Sequence, residues 1–354
     1  MHALSVGSPD PSSWEEEQRL TVDPAGSNLA YTNGRVVFVQ EDGTVHLVWS
    51  DTRDGNGEIY YRMRTASWGP EVRLTDEPAL SEHPVITGTP GGDLHVAWVD
   101  SRSGVKDIYY KSCSGGVWSP DLRVSQAAVQ EINPSIAIDG AGRVHLAWVR
   151  VWANTTKVAY SVQENGTWSN PTDVGGVAGR SADMPSLAAL SDGTVFLFYE
   201  QDLAGRVPGD ILYRIRLAGV WQTVVELTTA SSYSRTPSAC AGSDGRVHVA
   251  WYDGRDGSGD IYYMVWEGGS WGPETLVQGG AEDSEFPSIA AGPLGQVEVA
   301  WQEFRDGNAE IYHRLYSGAW HPAERLTRAP LPSVMPNMAI DGAGNGSLVW
   351  SDLR

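Results

Sequence analysis

One segment returns along the chain with little change. Trp-Tyr-Asp-Gly-Arg-Asp-Gly-Ser-Gly-Asp-Ile-Tyr-Tyr at 251–263 reappears at 49–61 and 301–313, with a looser copy at 98–110. Self-similarity at a fixed period restricts a chain to folds that repeat one small unit, each unit covering its neighbour's apolar face. The anchor of the segment recurs as Trp49, Trp98, Trp148, Tyr199, Trp251, Trp301 and Trp350, a period of about 50 residues. A second series, Trp14, Trp68, Trp118, Trp168, Trp221, Trp271 and Trp320, keeps the same period. So does a proline series, Pro84, Pro134, Pro185, Pro237, Pro287 and Pro336, with Gly34 near the corresponding place in the first unit.

Within a unit the pattern alternates with period two and is broken by turn residues, which reads as strands. From Pro134, a short apolar strand at 135–138 meets the turn Asp139-Gly-Ala-Gly142, then a second strand at 144–148. A third strand follows at 158–160, then Asn165-Gly166, then a fourth strand near Trp168. The expectation is an all-β, seven-bladed β-propeller with four antiparallel strands per blade, a single domain over 1–354. The last unit, 335–354, holds only two strands. Segment 1–21 supplies the missing half, because Trp14 to Thr21 matches Trp320 to Thr327. The last blade is therefore expected to be closed by the N- and C-terminal segments.

Charge narrows the function. The chain has 354 residues with 44 acidic against 25 Lys and Arg, a formal charge of −19. Nucleic acid and anionic membrane surfaces, which need a basic footprint, are excluded as expected partners. No apolar run reaches membrane-spanning length, and no secretory leader is visible at Met1-His-Ala-Leu-Ser-Val6. Cys113 and Cys240 fall in different units and are not expected to pair. The chain is expected to be monomeric.

Charged positions recur inside the repeated segment: Asp51, Arg53 and Glu58; Asp100, Arg102 and Asp107; Asp253, Arg255 and Asp260; Glu303, Arg305 and Glu310. One arginine between two acids suggests a forked ion pair that ties the hairpin together. The alternative is a cation or sugar site in each blade, which the central arginine disfavours for a metal. No cofactor is expected, with bound calcium left open. His46, His95, His145 and His248 share one repeat position. Phe196, Glu298 and Ser347 occupy it elsewhere, so packing is favoured over a metal ring. Both tryptophan series are read as wedges between sheets before sugar-stacking platforms.

The turn and tryptophan that end the units, as in Ser161-Val-Gln-Glu-Asn-Gly-Thr-Trp168, resemble the Asp-box (BNR) repeat of sialidase-like propellers. Gly-x-Trp is kept at Gly116, Gly166, Gly219, Gly269 and Gly318, whereas the defining aspartate is missing. The resemblance implies the propeller fold. It does not carry the sialidase activity, because the Arg-Ile-Pro segment is absent. By the same analogy carbohydrate is the implied ligand class.

The repeat departs most in its third and fourth units. Arg150 and Trp152 replace the first acid and the arginine, Lys157 replaces the second acid, and the loop 200–210 is longer than elsewhere. Arg150, Trp152, Arg180, Asp183, Glu200 and Arg206 are expected to share one face and to bind an acidic sugar. No catalytic residue is assigned; an enzyme reading would draw on Asp183 and Glu200, or on His83 or Tyr233 for a lyase. The leading expectation is a non-enzymatic recognition or scaffold module, carbohydrate-binding and extracellular or at the cell surface. A glycan-active enzyme, hydrolase or lyase, and a protein-interaction platform are the alternatives.

Overall fold

The structure is a computed structural model. It describes residues 2–7, 14–21, 26–29, 34–177, 179–203, 206–229, 232–305 and 307–352. Side chains of 2–7, 203 and 206–208 lie outside the described set. Among the described residues every regular element is a strand except a 3₁₀ turn at Pro293–Gly295.

Six blades are each built from one continuous stretch. In the second, Ser81–Gly88, Leu94–Asp100 and Asp107–Ser114 run antiparallel, with Val117–Trp118 at the outer edge. A further sheet is composite. Ser333–Ile340 and Gly346–Asp352 pair with each other, and His2–Gly7 then adds to Gly346–Asp352 from His2 opposite Ser351 to Gly7 opposite Gly346. The expectation of a seven-bladed propeller with four strands per blade is thus corrected: six blades are contiguous, the further sheet is shared by the two ends of the chain, and strand numbers vary. Only the composite sheet and the sixth blade have four strands; the other five have five. The outer strand splits in blades two to five, for instance into Val117–Trp118 and Leu122–Arg123. Proline stands in three of these gaps, as Pro120, Pro171 and Pro273, and with no N–H to donate it interrupts the ladder. In the first blade it is the inner strand that divides, into Ser27–Asn28 and Val37–Val39.

The repeated aromatics bury the seams. Trp49, Trp98, Trp148, Trp251, Trp301 and Trp350 are at most 1% exposed. Six members of the outer series lie edge-on against a ring of the preceding blade. Trp118 meets Tyr61, Trp168 meets Tyr110, Trp221 meets Tyr160, Trp271 meets Tyr213 and Trp320 meets Tyr263, at 5.0–5.5 Å between centroids. Trp14, from the N-terminal segment, meets His313 in the same way at 5.1 Å. The repeated histidines support these tyrosines. Nδ1 of His46, His95, His145 and His248 is bonded to the hydroxyl of Tyr61, Tyr110, Tyr160 and Tyr263 at 2.6–2.8 Å. In the sixth blade the pair is reversed, with His313 bonded to Glu298 at 3.0 Å.

A belt of bonds between inner strands holds the ring. Backbone N–H groups of Leu187, Ala239, Ile289 and Met338 donate to Oγ of Ser135, Ser186, Ser238 and Ser288 on the preceding blade. At the closing seam Asn337 accepts from the Val36 N–H and donates to the Gly34 carbonyl, both at 3.0 Å. Arg35 stands where the later units carry proline. Its guanidinium enters the central channel and donates to the Ala239 and Ile289 carbonyls at 2.9 Å.

Immediately before each repeat proline the backbone adopts positive φ, at His83, Asn133, Met184, Thr236, Phe286 and Met335 (φ 49–57). The register slips at the same points. These are β-bulges, which bend a strand and re-aim its end. They bring one further position, Glu82, Ile132, Asp183, Arg235, Glu285 or Val334, to the end of each inner strand. That position differs between units while the strand around it is kept.

Candidate functional site

The recurring charges form a clamp, but not the fork expected. In the second blade Arg102 grips Asp100 with two parallel bonds of 2.9 and 2.6 Å, then reaches Asp121 on the outer strand at 2.8 Å. Arg53 joins Asp51 to Glu71, and Arg255 joins Asp253 to Glu274. Arg305 pairs with Glu303. Each of these guanidinium groups lies over a tyrosine ring at 4.1–4.6 Å. The first acid also accepts the anchor indole N–H, as Asp51 does from Trp49 at 3.1 Å. Burial raises the Asp51 carboxyl, but bonds from Arg53, Ser27 and Trp49 outweigh that and hold it at about 2.

The second acid belongs elsewhere, which corrects the arginine-between-two-acids expectation. Glu58 pairs with Arg73 and accepts from Thr75, Asp107 pairs with Arg123, and Glu310 pairs with Arg325 and accepts from Thr327. Asp260 accepts from the Gly280 N–H at 3.2 Å. Leu276 stands where units one, two and six place this arginine, and burial together with nearby Asp256 raises the Asp260 carboxyl.

In blade three the clamp is rebuilt with its charges exchanged. The acid comes from the inner strand: Glu131 accepts from Trp148 Nε1 at 2.9 Å and from Arg150 at 2.8 Å. Arg150 also reaches Asp173 at 2.7 Å. Arg150, expected at a binding site, is thereby engaged within the fold. Trp152 is 42% exposed at the strand end, opposite Thr155. Thr155 donates to the Arg180 carbonyl, so Trp152 and Arg180 share one corner of the loop face.

In blade four the clamp is dismantled. Tyr199 replaces the anchor tryptophan, Gln201 the acid and Leu203 the arginine. A cavity of ≈ 170 Å³ opens at the seam with blade five, lined by Ser181, Asp183, Glu200, Gln201, Asp202, Gly209, Ser234 and Arg235. Asp183 and Glu200 face each other across the strand pair. Asn133 donates to Asp183 at 2.8 Å, and the Thr236 N–H donates to Glu200 at 3.1 Å. Gln201 is buried, and its Oε1 has no partner among the described residues. Arg235 is exposed, lies 5.4 Å over the Tyr233 ring and makes no ion pair among the described residues. Arg206 opens the strand Arg206–Leu217, and its side chain lies outside the described residues.

Burial raises the Glu200 carboxyl to about 7, and the neighbouring Asp183 charge pushes the same way. An acid held above its ordinary 4.5 stabilises the fold while protonated. That contribution is complete below pH 4.5 and is lost as pH rises through 7. Glu200→Gln is therefore expected to match the wild type near pH 5 and to exceed it by roughly 2 kcal/mol at pH 8. Urea melts of both proteins across this range check it; parallel curves would refute it.

Arg235 and Asn133 escaped the sequence reading, which followed loop length. The available signal was a strand-end position that changes from unit to unit between constant neighbours. His83 lies at the bulge of blade two, with its pKa lowered by burial. Tyr233 adjoins the cavity, its hydroxyl 3.0 Å from that of Tyr252. Among the described residues no group of three or more His, Cys, Asp or Glu is placed to hold a metal ion.

No protein-family model and no curated protein sequence matches the chain. Solved structures do. An ulvan lyase, a polysaccharide lyase bound to -[GlcA(1-4)Rha3S]-, superposes with TM-score 0.63 at 11% identity, over 90% of this chain and 88% of that one. The leech intramolecular trans-sialidase, complexed with 2,7-anhydro-Neu5Ac, gives 0.55 at 10% identity, over 82% and 68%. Penicillium chrysogenum α-L-arabinanase, complexed with arabinobiose, gives 0.54 at 14% identity, over 79% and 94%. The chain therefore has the fold of sialidase-like propellers. At such identities the likeness is one of fold, and no residue role is transferred by it.

Proposed function

We propose that the chain is a carbohydrate-recognition propeller that binds a carboxylated sugar in the cavity between blades four and five. One observation carries this reading. Where blades one, two, three, five and six each hold an acid–arginine clamp, blade four replaces its residues and opens a cavity beside Arg235, which makes no ion pair among the described residues. Arg235 supplies the charge-assisted donor for a carboxylate. Asp183 and Gln201 accept from hydroxyls, and Glu200 when protonated donates to one. The saccharides named with the ulvan lyase, the trans-sialidase and the arabinanase support carbohydrate as the ligand class. An extracellular or cell-surface setting, where such polymers are met, accords with this reading.

A glycan array rich in uronates and sialates tests it. Binding of carboxylated glycans is expected, and Arg235→Ala is expected to weaken it about tenfold or more, the cost of a lost charge-assisted bond. Binding indifferent to Arg235 would place the ligand elsewhere.

A second reading is favoured by Glu200 alone. A carboxyl that titrates near 7 in a cleft is suited to general acid–base work, which would make the protein a glycan-active hydrolase or lyase. New reducing ends or unsaturated-uronate absorbance on incubation with polyuronates would support this reading. If both stay flat for wild type while binding persists, the recognition reading alone remains.

A further inference from the structure

We propose that Tyr233 and Tyr252 form a second sugar subsite contiguous with the cavity, so that the ligand is an internal stretch of a polysaccharide and not a lone terminal residue. The inference rests on the carboxylated-sugar reading and deepens it. Both tyrosines are partly exposed. Their rings lie 5.5 Å apart at 37°, and their hydroxyls bond each other at 3.0 Å. The pair is seated on backbone. A Cβ added at Gly254 would come 2.4 Å from Tyr233 Cζ, and one at Gly259 would come 1.8 Å from Tyr252 Cε2. Any side chain at either glycine would lift a ring.

The shelf belongs to this blade and to no other. The counterparts of Tyr252 are Ser50, Val99, Val149, Glu200, Gln302 and Ser351, and those of Gly254 include Thr52, Ser101 and Phe304. A pair of aromatics absent from the repeat does not serve the common wedge between sheets. Register fixes its place: Arg235 lies opposite Tyr252, and Ser234, which lines the cavity, precedes Arg235. The shelf therefore begins where the cavity ends, with Arg235 between them and over the Tyr233 ring. Burial and the Tyr233 hydroxyl keep the Tyr252 phenol neutral. An aromatic face beside a few convergent polar groups is the setting in which the C–H face of a pyranose packs while its hydroxyls and carboxylate are held at the side. The cavity is small enough for one residue, and a second residue of the chain would lie on the tyrosines.

Calorimetric titration of the full chain tests this, using D-galacturonate, D-glucuronate and the linear tetrasaccharide of each. For wild type the tetrasaccharide of the preferred sugar is expected to bind about tenfold tighter than the monomer, the scale of one aromatic contact. Tyr252→Ala is expected to abolish that gain and leave monomer binding unchanged, and Tyr252→Phe to keep it. Should Tyr252→Ala fail to fold, Gly259→Ala, which displaces the Tyr252 ring, carries the same comparison. Equal affinity for monomer and tetrasaccharide in wild type, or a gain that survives loss of the shelf, overturns the subsite while leaving the cavity reading intact. Binding of none of the four probes overturns the subsite, and the cavity reading then stands or falls with the sialates of the glycan array.

Discussion

A chain lacking residues 1–21 is expected to lose cooperative folding, although that segment precedes the first complete repeat. Its backbone at His2–Gly7 is the strand that covers Gly346–Asp352. Trp14 fills the seam against His313, and Leu20 is 3% exposed. Removing two such side chains forfeits about 3–6 kcal/mol of apolar burial, a large share of the 5–15 kcal/mol that holds a typical domain. It also bares Gly346–Asp352 as an open edge, which invites association with other chains. Thermal melts and light scattering of the truncated protein check this, with a synthetic 1–21 peptide added back to restore the transition. A truncated chain that melts within a few degrees of the full one would show that the Asn337 seam closes the ring unaided.

The exchanged clamp of blade three is expected to give the largest single-site effect. Glu131 is fully buried and is the shared acceptor of Trp148 and Arg150. Glu131→Ala leaves the indole N–H and the guanidinium without it, at a cost of about 3–5 kcal/mol. Arg150→Ala strands the carboxylate instead and is expected to cost a similar amount. The neighbouring blade supplies the repair. There Ser81, Asp100 and Arg102 form the clamp, with Ser81 donating to Asp100 at 3.0 Å. Glu131→Ser, Arg150→Asp and Trp152→Arg together reproduce that arrangement and are expected to recover the stability to within about 1 kcal/mol, because the three positions act as one unit. Chemical denaturation of the single, double and triple variants checks it. A triple variant no more stable than Glu131→Ala would mean that the two clamps are not interchangeable.

That same clamp shows where reading the sequence goes astray. Arg150 and Trp152 stand out as departures from the repeat, and by sequence such departures point to a ligand site. Arg150 departs because its acid has moved to Glu131 on the strand beside it, a compensation visible only once strand pairing is known. In blade four the acid and arginine positions are held by Gln201 and Leu203, which carry no charge, and there the cavity lies. Asp183 and Glu200 lie opposite each other on paired strands and both line that cavity. Arg235 was passed over because its loop has ordinary length. Trp152 lies opposite Thr155, which bonds the Arg180 carbonyl, and among the described side chains the cation lining the cavity is Arg235.

The sequence by itself determined the all-β propeller, because a period of about 50 residues with alternating apolar positions leaves each unit a flank that only its neighbour can cover. It also marked the aromatics that fill those flanks, since seam residues are constrained alike in every unit. Tertiary structure alone decided which acid an arginine meets, how many strands a sheet carries and which side chains border the cavity. Those outcomes depend on contacts between strands some 15 to 50 positions apart, set by register and bulges, which residue spacing along one strand does not encode.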